Sequence, residues 1–396
     1  MRLLRSFRWA VVAIALVMLG AMARPYVHGL SFVIRAADVH GRLRRAADLD
    51  TMAEREREIA IPTARGTLRA RLYEPSQSHR AALLVSGLHP AGIDEPRLVG
   101  LARQLSANGI AIVTPDIPEL SRFEITPAIT DAIEQSAAWL ATDSGLAPDR
   151  KVGLMGISFS GGLSVVAAGR PLLTNRVAFV FSFGGHDDLP RVLRYLCTGV
   201  EPSPLHEIRL DRDAPRQPHI RPPHDYGVAV ILLGAADRVV PNAQVEPLRT
   251  AVRRYLLAST LDSNVDKAAA AREFDALKQL ARAMPEPSAT LMRYVNERDV
   301  VHLGSRLLPY VGASGGDAAL SVSKSTKPSA PVFLLHGTED NVIPAVESEY
   351  LREDLRGHAS TRLLLSGLIS RAEADRPMHA GDVMQLASFW GDLLSR

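Results

Sequence analysis

The stretch that decides the fold runs from residue 151 to residue 168 and reads KVGLMGISFSGGLSVVAA. Its first seven residues form a short apolar run, as expected of a buried strand. Its last residues are small and apolar, which suits a helix that packs closely on a sheet. Gly156 and Ser160 lie two positions before and two positions after Ser158. This spacing of small residues predicts a very sharp turn that projects Ser158 from the end of the strand.

Other parts of the chain predict a sheet around this turn. Continuous apolar runs, as expected of strands buried on both faces, occur at residues 81–86, 110–115, 177–182, 331–337 and 361–365. Alternating residues at 58–63 and 66–73 predict a hairpin. Helical patterns separate most of the strands, which predicts an α/β fold with a doubly wound, mostly parallel sheet. Ligands of such sheets bind beyond the carboxyl ends of the strands, where Ser158 is placed.

The Gly-x-Ser-x-small pattern between a strand and a helix resembles the nucleophile elbow of the α/β-hydrolase superfamily. Ser160 departs from that pattern, because glycine is usual at its position. The resemblance covers roughly residues 57–190 and 331–396 and implies a serine hydrolase, nearest to the esterase and dienelactone-hydrolase-like members, with Ser158 as the nucleophile. A second register, Ser158-x-Ser160-x-Gly162, would make Ser160 the nucleophile, but it lacks the leading glycine.

In this superfamily the serine is followed along the chain by an acid and then by a histidine. The segment HGTEDNVIP, residues 336–344, resembles the acid turn and offers Asp340 as the acid. His379 follows, immediately before the last helical pattern, and would be the base. A similar segment, LLGAADRVVP, residues 232–241, makes Asp237 an alternative acid. We favour Asp340 because a helix, a strand and His379 follow it, whereas only helical patterns follow Asp237.

The negative charge formed when a serine attacks a carbonyl group requires preorganised N–H donors. We expect these donors to be the backbone N–H groups of Phe159 and of Leu88, the latter in the turn after residues 81–86. Ser86-Gly87 stands where the superfamily usually has His-Gly. The resemblance implies a small-molecule ester, thioester or lactone as the substrate. Acyl transfer on the same triad, or a catalytically silent binding or scaffold protein of the cell envelope, are the alternatives.

Residues 191–330 interrupt the alternation of strands and helices between a first part of the core, residues 58–190, and a second part, residues 331–396. We interpret this segment as a mainly helical cap with helices at 243–257, 267–284 and 288–308. The apolar run at 226–234 predicts a strand, which would belong either to the cap or to the main sheet.

Near the N-terminus, arginines at positions 2, 5 and 8 precede an apolar run over residues 9–22. The segment ends in Ala-x-Ala at residue 23. This pattern is typical of a secretory signal peptide, or of an anchor if the apolar residues that follow lengthen it. It predicts export to the periplasm or anchoring in the cytoplasmic membrane, with the body facing outward and residues 7–23 in the membrane. Residues 24–57 are expected to be a helical connector.

Composition narrows the classes of partner. The formal net charge is +3 and the basic residues are dispersed, so no nucleic-acid-binding surface is predicted. A single cysteine, Cys197, excludes an internal disulfide and a cysteine-based zinc site. No metal-ligand set and no phosphate-binding loop stand out, and we expect neither a metal nor a cofactor.

Overall fold

One sheet of eight strands organises the molecule. The computed structural model describes residues 23–205, 218–262, 266–369 and 379–396. The strands are ordered β1-β2-β4-β3-β5-β6-β7-β8. Their bounds are β1 (Glu54–Thr63), β2 (Gly66–Pro75), β3 (Arg80–Val85), β4 (Ile110–Pro115), β5 (Val152–Ile157), β6 (Val177–Phe183), β7 (Val332–Gly337) and β8 (Thr361–Ser366). The pairs β1–β2 and β2–β4 are antiparallel and the other pairs are parallel, which confirms the predicted hairpin and the mostly parallel sheet.

Helices cover both faces of this sheet. In chain order they are α1 (23–36), α2 (Arg42–Asp48), α3 (Pro96–Ser106), α4 (Pro118–Ser121), α5 (Pro127–Thr142), α6 (Phe159–Ala168), α7 (Leu189–Thr198), α8 (Asp225–Val239), α9 (Asn242–Asp262), α10 (Lys267–Ala283), α11 (Ser288–Asn296), α12 (Val300–Leu307), α13 (Val311–Gly315), α14 (Val346–Asp354) and α15 (Ala380–Leu394). Short 3₁₀ turns join some of them. The prediction of a doubly wound α/β fold is confirmed.

The alternation of side chains along each strand divides the core into two clusters. In β3, Leu83 and Val85 belong to the cluster that contains α5 and α6. Ala82 and Leu84 point the other way, into the cluster that contains residues of α1, α3 and α15. Successive side chains of a strand face opposite sides of the sheet, so both faces of β3 are buried. Helix packing on both faces leaves the carboxyl ends of the parallel strands as the place for a site.

The segment between β6 and β7 is mainly helical in the part of it that the structure describes, as expected for a cap. Helix α10 matches the predicted helix at 267–284, and α9 is longer than the predicted helix at 243–257. The predicted helix at 288–308 is instead two helices, α11 and α12. The chain turns between them at Arg298, whose φ is 55°.

The strand predicted at residues 226–234 is wrong, because these residues belong to helix α8. A continuous apolar run fits a strand buried on both faces and a helix buried on all sides equally well. The second case applies here, since every residue from 227 to 233 is buried. The run therefore contributes nothing to the main sheet.

The N-terminal helix α1 is part of the packed body. The ring centroids of Phe32 and Trp390 lie 4.2 Å apart, and Phe32 is 1% exposed. A methyl group added at Gly29 would lie 1.8 Å from the backbone oxygen of Ala387 in α15, so the two helices touch backbone to backbone. The predicted signal or anchor run, residues 9–22, lies outside the described residues. Within the described ranges, no helix has the length and apolarity needed to cross a membrane.

Candidate active site

Ser158 stands on a strained turn between β5 and α6. Its φ and ψ are 59° and −129°, a conformation that is costly for a residue with a Cβ. Its backbone N–H donates a hydrogen bond of 2.7 Å to the carbonyl oxygen of Phe183, the last residue of β6. A methyl group at Gly156 would lie 2.1 Å from the backbone oxygen of Ser160, so this position requires glycine. The sharp turn read from the sequence is therefore present at the predicted residue.

Two backbone segments flank Ser158 where the oxyanion donors are predicted. Phe159 is the first residue of α6, and the first N–H groups of a helix have no acceptor within the helix. On the other side, a methyl group at Gly87 would lie 3.4 Å from the Ser158 Cβ. The turn after β3, which continues into Leu88, thus runs directly beside Ser158. Ser158 thus has a backbone segment on each of two sides.

Ser160 is buried inside the first turn of α6. Its hydroxyl donates a hydrogen bond of 2.6 Å to the backbone oxygen of Ser86. Ser160 is 0% exposed, whereas Ser158 retains 7% exposure. This placement favours the register in which Ser158, and not Ser160, is the nucleophile.

Asp340 lies in the turn after β7, with its carboxylate fixed by the backbone. Its Oδ1 accepts hydrogen bonds from the N–H groups of Val342 (2.8 Å) and Ile343 (3.1 Å). Its Oδ2 lies 3.5 Å from the position that a methyl group would take at Gly184, the residue directly after β6. Because β5, β6 and β7 are adjacent and parallel, Asp340 and Ser158 share one edge of the sheet.

His336, at the end of β7, holds the acid turn together from inside. It is 0% exposed, and its Nδ1 and Nε2 lie 2.7 Å from Ser348 Oγ and 2.9 Å from the carbonyl oxygen of Ile343. The same Nε2 lies 3.9 Å from Asp340 Oδ2. In the sequence, His336 is notable only as part of the HGTEDNVIP segment. Its position inside a continuous apolar strand is the signal that it is a buried, hydrogen-bonded residue.

The helical segment between β6 and β7 supports the acid turn from outside. Arg221 Nη1 donates to the carbonyl oxygen of Thr338 at 3.2 Å. The carbonyl oxygen of Asn341 accepts from the His224 N–H at 2.9 Å and from the Tyr195 hydroxyl at 3.4 Å. Burial raises the pKa of Tyr195, so this hydroxyl stays protonated and can donate. The acid turn is thus fixed on both sides.

His379 directly precedes α15 and is exposed. Its backbone oxygen accepts hydrogen bonds from the N–H groups of Asp382 (3.0 Å) and Val383 (3.3 Å). Among the described residues, no hydrogen bond or ion pair joins its ring to Asp340 or to Ser158. The structure thus assembles Ser158, the two flanking backbone segments and Asp340, but it does not bring His379 into contact with them.

Asp237, the alternative acid, lies near the end of helix α8 and not in a turn after a strand. Its side chain is 53% exposed and pairs with Arg249 at 3.3 Å. The interpretation of residues 232–241 as a second acid turn depended on a strand before it. Because that strand is a helix, the structure favours Asp340.

A buried ionic cluster lies beside the site, between the start of α7 and α14. Nε and Nη2 of Arg191 donate hydrogen bonds to the two oxygens of the Glu347 carboxylate, at 2.6 and 2.9 Å. The same carboxylate accepts hydrogen bonds from the backbone N–H groups of Asp187 (3.0 Å) and Asp188 (3.2 Å). Burial raises the pKa of Asp187 to about 7. The sequence does not predict this cluster, because Glu347 lies 156 residues after Arg191 in the chain.

Comparisons with known proteins find similar solved structures only. No family model matches the chain, and no curated protein matches it. An esterase from Pyrobaculum calidifontis is 15% identical, and its alignment covers 94% of this chain and 92% of that chain with a TM-score of 0.40. A thermostable carboxylesterase cloned from a metagenomic library is 15% identical, with 94% and 96% covered and a TM-score of 0.42. An esterase from Pyrococcus furiosus is 10% identical, with 79% and 82% covered and a TM-score of 0.41.

The fold itself can be named from its own geometry. The strand-turn-helix at Ser158 projects the serine at the carboxyl end of a central parallel strand, and the loop after β3 runs beside it. The turn that holds Asp340 follows a later parallel strand of the same sheet. This chain has the α/β-hydrolase fold.

Proposed function

We propose that this protein is a serine hydrolase that cleaves a carboxylic ester, thioester or lactone through an acyl-enzyme on Ser158. The observation that carries this proposal is the position of Ser158 on a strained turn with φ of 59°, beside the backbone of Gly87. Such a backbone conformation costs roughly 1–3 kcal/mol, and this strain is typical of functional sites. The turn presents the serine hydroxyl between two backbone segments that can offer N–H donors.

The reaction follows from these groups. Ser158 Oγ attacks the acyl carbon while His379 takes the hydroxyl proton. The N–H groups of Phe159 and Leu88 stabilise the negative charge on the former carbonyl oxygen. His379 then returns the proton to the leaving alcohol or thiol as its bond to the acyl carbon breaks. Water, activated by the same histidine, attacks the acyl-enzyme and releases the acid.

Asp340 would orient the histidine. Its Oδ1 is committed to two backbone N–H groups, which leaves Oδ2 to accept a hydrogen bond from the Nδ1–H of His379. That bond requires an approach of about 3 Å, which the described residues do not make. The choice of His379 rests on its place in the chain, after the strand that follows the acid turn and before the last helix.

A fluorophosphonate probe and p-nitrophenyl esters test the proposal. We expect wild-type protein to be labelled and to hydrolyse the esters, and Ser158→Ala to lose both, with kcat reduced roughly 10⁶-fold. Asp340→Asn should reduce kcat roughly 10⁴-fold, because the histidine loses its orienting acceptor. Asp237→Asn is the matched control and should leave kcat unchanged. His379→Gln should behave like Asp340→Asn or worse.

Each other outcome has a definite meaning. A folded, monodisperse wild-type protein that is neither labelled nor active would overturn the hydrolase proposal in favour of a binding or scaffold protein. Labelling with release of the acyl group only to an added alcohol would identify an acyltransferase. Loss of activity in Asp237→Asn, but not in Asp340→Asn, would reverse the assignment of the acid.

We also propose that the N-terminal segment, residues 1–23, directs export to the periplasm or anchors the body on the outer side of the cytoplasmic membrane. The arginines and the apolar run support this proposal. Cleavage after Ala23 would leave Gly29 and Phe32 in the mature chain, so the packing of α1 on α15 is compatible with either form. Intact-mass analysis of the protein from soluble and membrane fractions distinguishes them. Uncleaved protein confined to the cytosolic fraction would contradict the proposal.

A further inference from the structure

We infer that Ser160 is a positioning residue that fixes the oxyanion turn against the nucleophile helix. The inference rests on the proposed hydrolase function. It concerns the one position at which the sequence departs from the usual glycine of the elbow. The structure shows that the serine at this position does more than remain small enough for the turn.

The hydrogen bond of Ser160 joins two separate segments of the site. Its Oγ lies 2.6 Å from the backbone oxygen of Ser86, and Ser160 and Ser86 are 0% and 3% exposed. A serine inside a helix commonly bonds back to a carbonyl of its own helix. Ser160 instead reaches across to the residue that follows β3. In a dry environment such a bond is worth more than at the surface, and its loss leaves a buried carbonyl group without this donor.

The position of Ser86 explains why this bond bears on catalysis. Ser86 is followed directly by Gly87, which lies against the Ser158 Cβ, and then by Leu88, the proposed second oxyanion donor. The far end of the loop is tied separately, because Asp94 pairs with Arg69 at 3.3 Å. At the near end, the Ser160 bond fixes the first residue after β3, directly beyond the pairing of β3 with β5. Donors of an oxyanion hole are effective when they are held in place before the charge develops.

Helix α6 contains a matched control. Ser164 lies one turn after Ser160, is also 0% exposed, and its hydroxyl has no hydrogen-bond partner among the residues that the structure describes. Ser160→Ala and Ser164→Ala thus remove the same atom from the same buried helix. Ser164 Oγ packs against Gly156, but only Ser160→Ala removes a hydrogen bond to the segment that leads into Gly87 and Leu88.

The test compares these two variants in the full-length protein. For Ser160→Ala we expect kcat on a p-nitrophenyl ester to fall about tenfold, with KM within about twofold of wild type. This loss is smaller than the 10²–10³-fold expected when an oxyanion donor itself is removed. Affinity for an aryl boronic acid, which forms a tetrahedral adduct with the serine, should fall by a similar factor. Ser164→Ala should match wild type in both measurements.

Hydrogen exchange measured by mass spectrometry supplies a readout that does not depend on turnover. Amides of residues 87–92 should exchange faster in Ser160→Ala than in Ser164→Ala. Equal exchange in the two variants, or equal kcat/KM, would overturn the inference, as would a rise in KM that accounts for the whole loss. If wild-type protein shows no Ser158-dependent hydrolysis, the proposed function fails, and the exchange comparison still decides whether Ser160 holds the turn.

Discussion

Two glycines next to Ser158 contact the turn in different ways. A Cβ at Gly156 would overlap backbone atoms, at 2.1 Å from the oxygen of Ser160. A Cβ at Gly87 would instead make ordinary contacts, of which the nearest is 3.4 Å from the Ser158 Cβ. Backbone atoms cannot move aside as a side chain can, so the first glycine is needed for folding. The second leaves space beside the nucleophile.

This difference predicts opposite phenotypes for two similar substitutions. Gly156→Ala should reduce the free energy of unfolding by about 3 kcal/mol or more, because the turn must open to admit the methyl group. Gly87→Ala should change it by less than about 1 kcal/mol, yet reduce ester hydrolysis at least tenfold, because the methyl group covers the path to Ser158 Oγ. Urea unfolding and initial rates measure the two effects. A fully active Gly87→Ala variant would contradict the placement of the turn beside the nucleophile.

At the scale of elements, helix α1 is held by close backbone contact with α15. The backbone of Gly29 is packed against Ala387, and a methyl group at Gly391 would lie 2.1 Å from the oxygen of Pro25. Phe32 and Trp390 cover this contact with a pair of rings. Two helices approach this closely only where both surfaces are small at the crossing point. The N-terminal helix is therefore held on α15 by close packing at its glycines.

Gly29→Ala should detach α1 even though alanine favours helices. The expected loss is about 1–3 kcal/mol in the free energy of unfolding, with faster tryptic cleavage after Arg35. Gly100→Ala in α3 is the control, because no atom lies within 4 Å of the added methyl group. That variant should gain roughly 0.5–1 kcal/mol from helix propensity alone. Unchanged proteolysis of Gly29→Ala would show that the contact is dispensable.

The elements also show which features the sequence could predict. Strands β3 to β8 follow from apolar runs bounded by turn residues, and the turn at Ser158 follows from the spacing of Gly156 and Ser160. Helix α8 could not be separated from a strand by the same reasoning, because its residues 227–233 are all buried and show no polar face with a helical period. The length of the apolar run, residues 226–234, does not distinguish the two either, because strands of this length are common.

Other contacts of the site could not be predicted from the sequence for a different reason. The bond from Ser160 to Ser86 and the pairing of Arg191 with Glu347 join residues far apart in the chain. Neither forms a local pattern, so only the packed structure reveals them. The position of His379 relative to Asp340 also depends on tertiary geometry, and its role stays a prediction.

At the scale of the whole molecule, the cluster of Asp187, Arg191 and Glu347 ties the first half of the core to the second. Asp187 follows β6, whereas Glu347 lies in α14, after the long helical segment has returned the chain to the sheet. Asp187 is 2% exposed, and within the described part of the chain its Oδ1 has no hydrogen-bond partner. Arg191 Nη2 donates to its Oδ2 at 3.0 Å, which lowers the pKa, but burial and the nearby carboxylate of Asp354 outweigh this pairing and favour the protonated form.

The raised pKa of Asp187 predicts a specific dependence of stability on pH. Because the native pKa of about 7 exceeds the usual value of 3.8, native protein binds this proton more tightly than unfolded protein. The contribution of this proton to the free energy of unfolding is greatest below about pH 4 and is lost as the pH rises through 7. The difference in the free energy of unfolding between Asp187→Asn and wild type should thus shift in favour of the variant, by on the order of 2 kcal/mol, as the pH rises from 5 to 8. Urea titrations at both pH values measure this, with Asp237→Asn as a control that should show no such trend.

The strained turn at Ser158 has a consequence for how this protein would change under selection. Glycine adopts a φ of 59° without penalty, so Ser158→Gly should raise the thermal midpoint by a few degrees, equivalent to about 1 kcal/mol. A library screened only for yield or heat resistance would therefore enrich glycine at residue 158 and discard the nucleophile. If serine persists at residue 158 across variants, selection must act on a property other than stability. Such persistence would indicate that the hydroxyl is required for function.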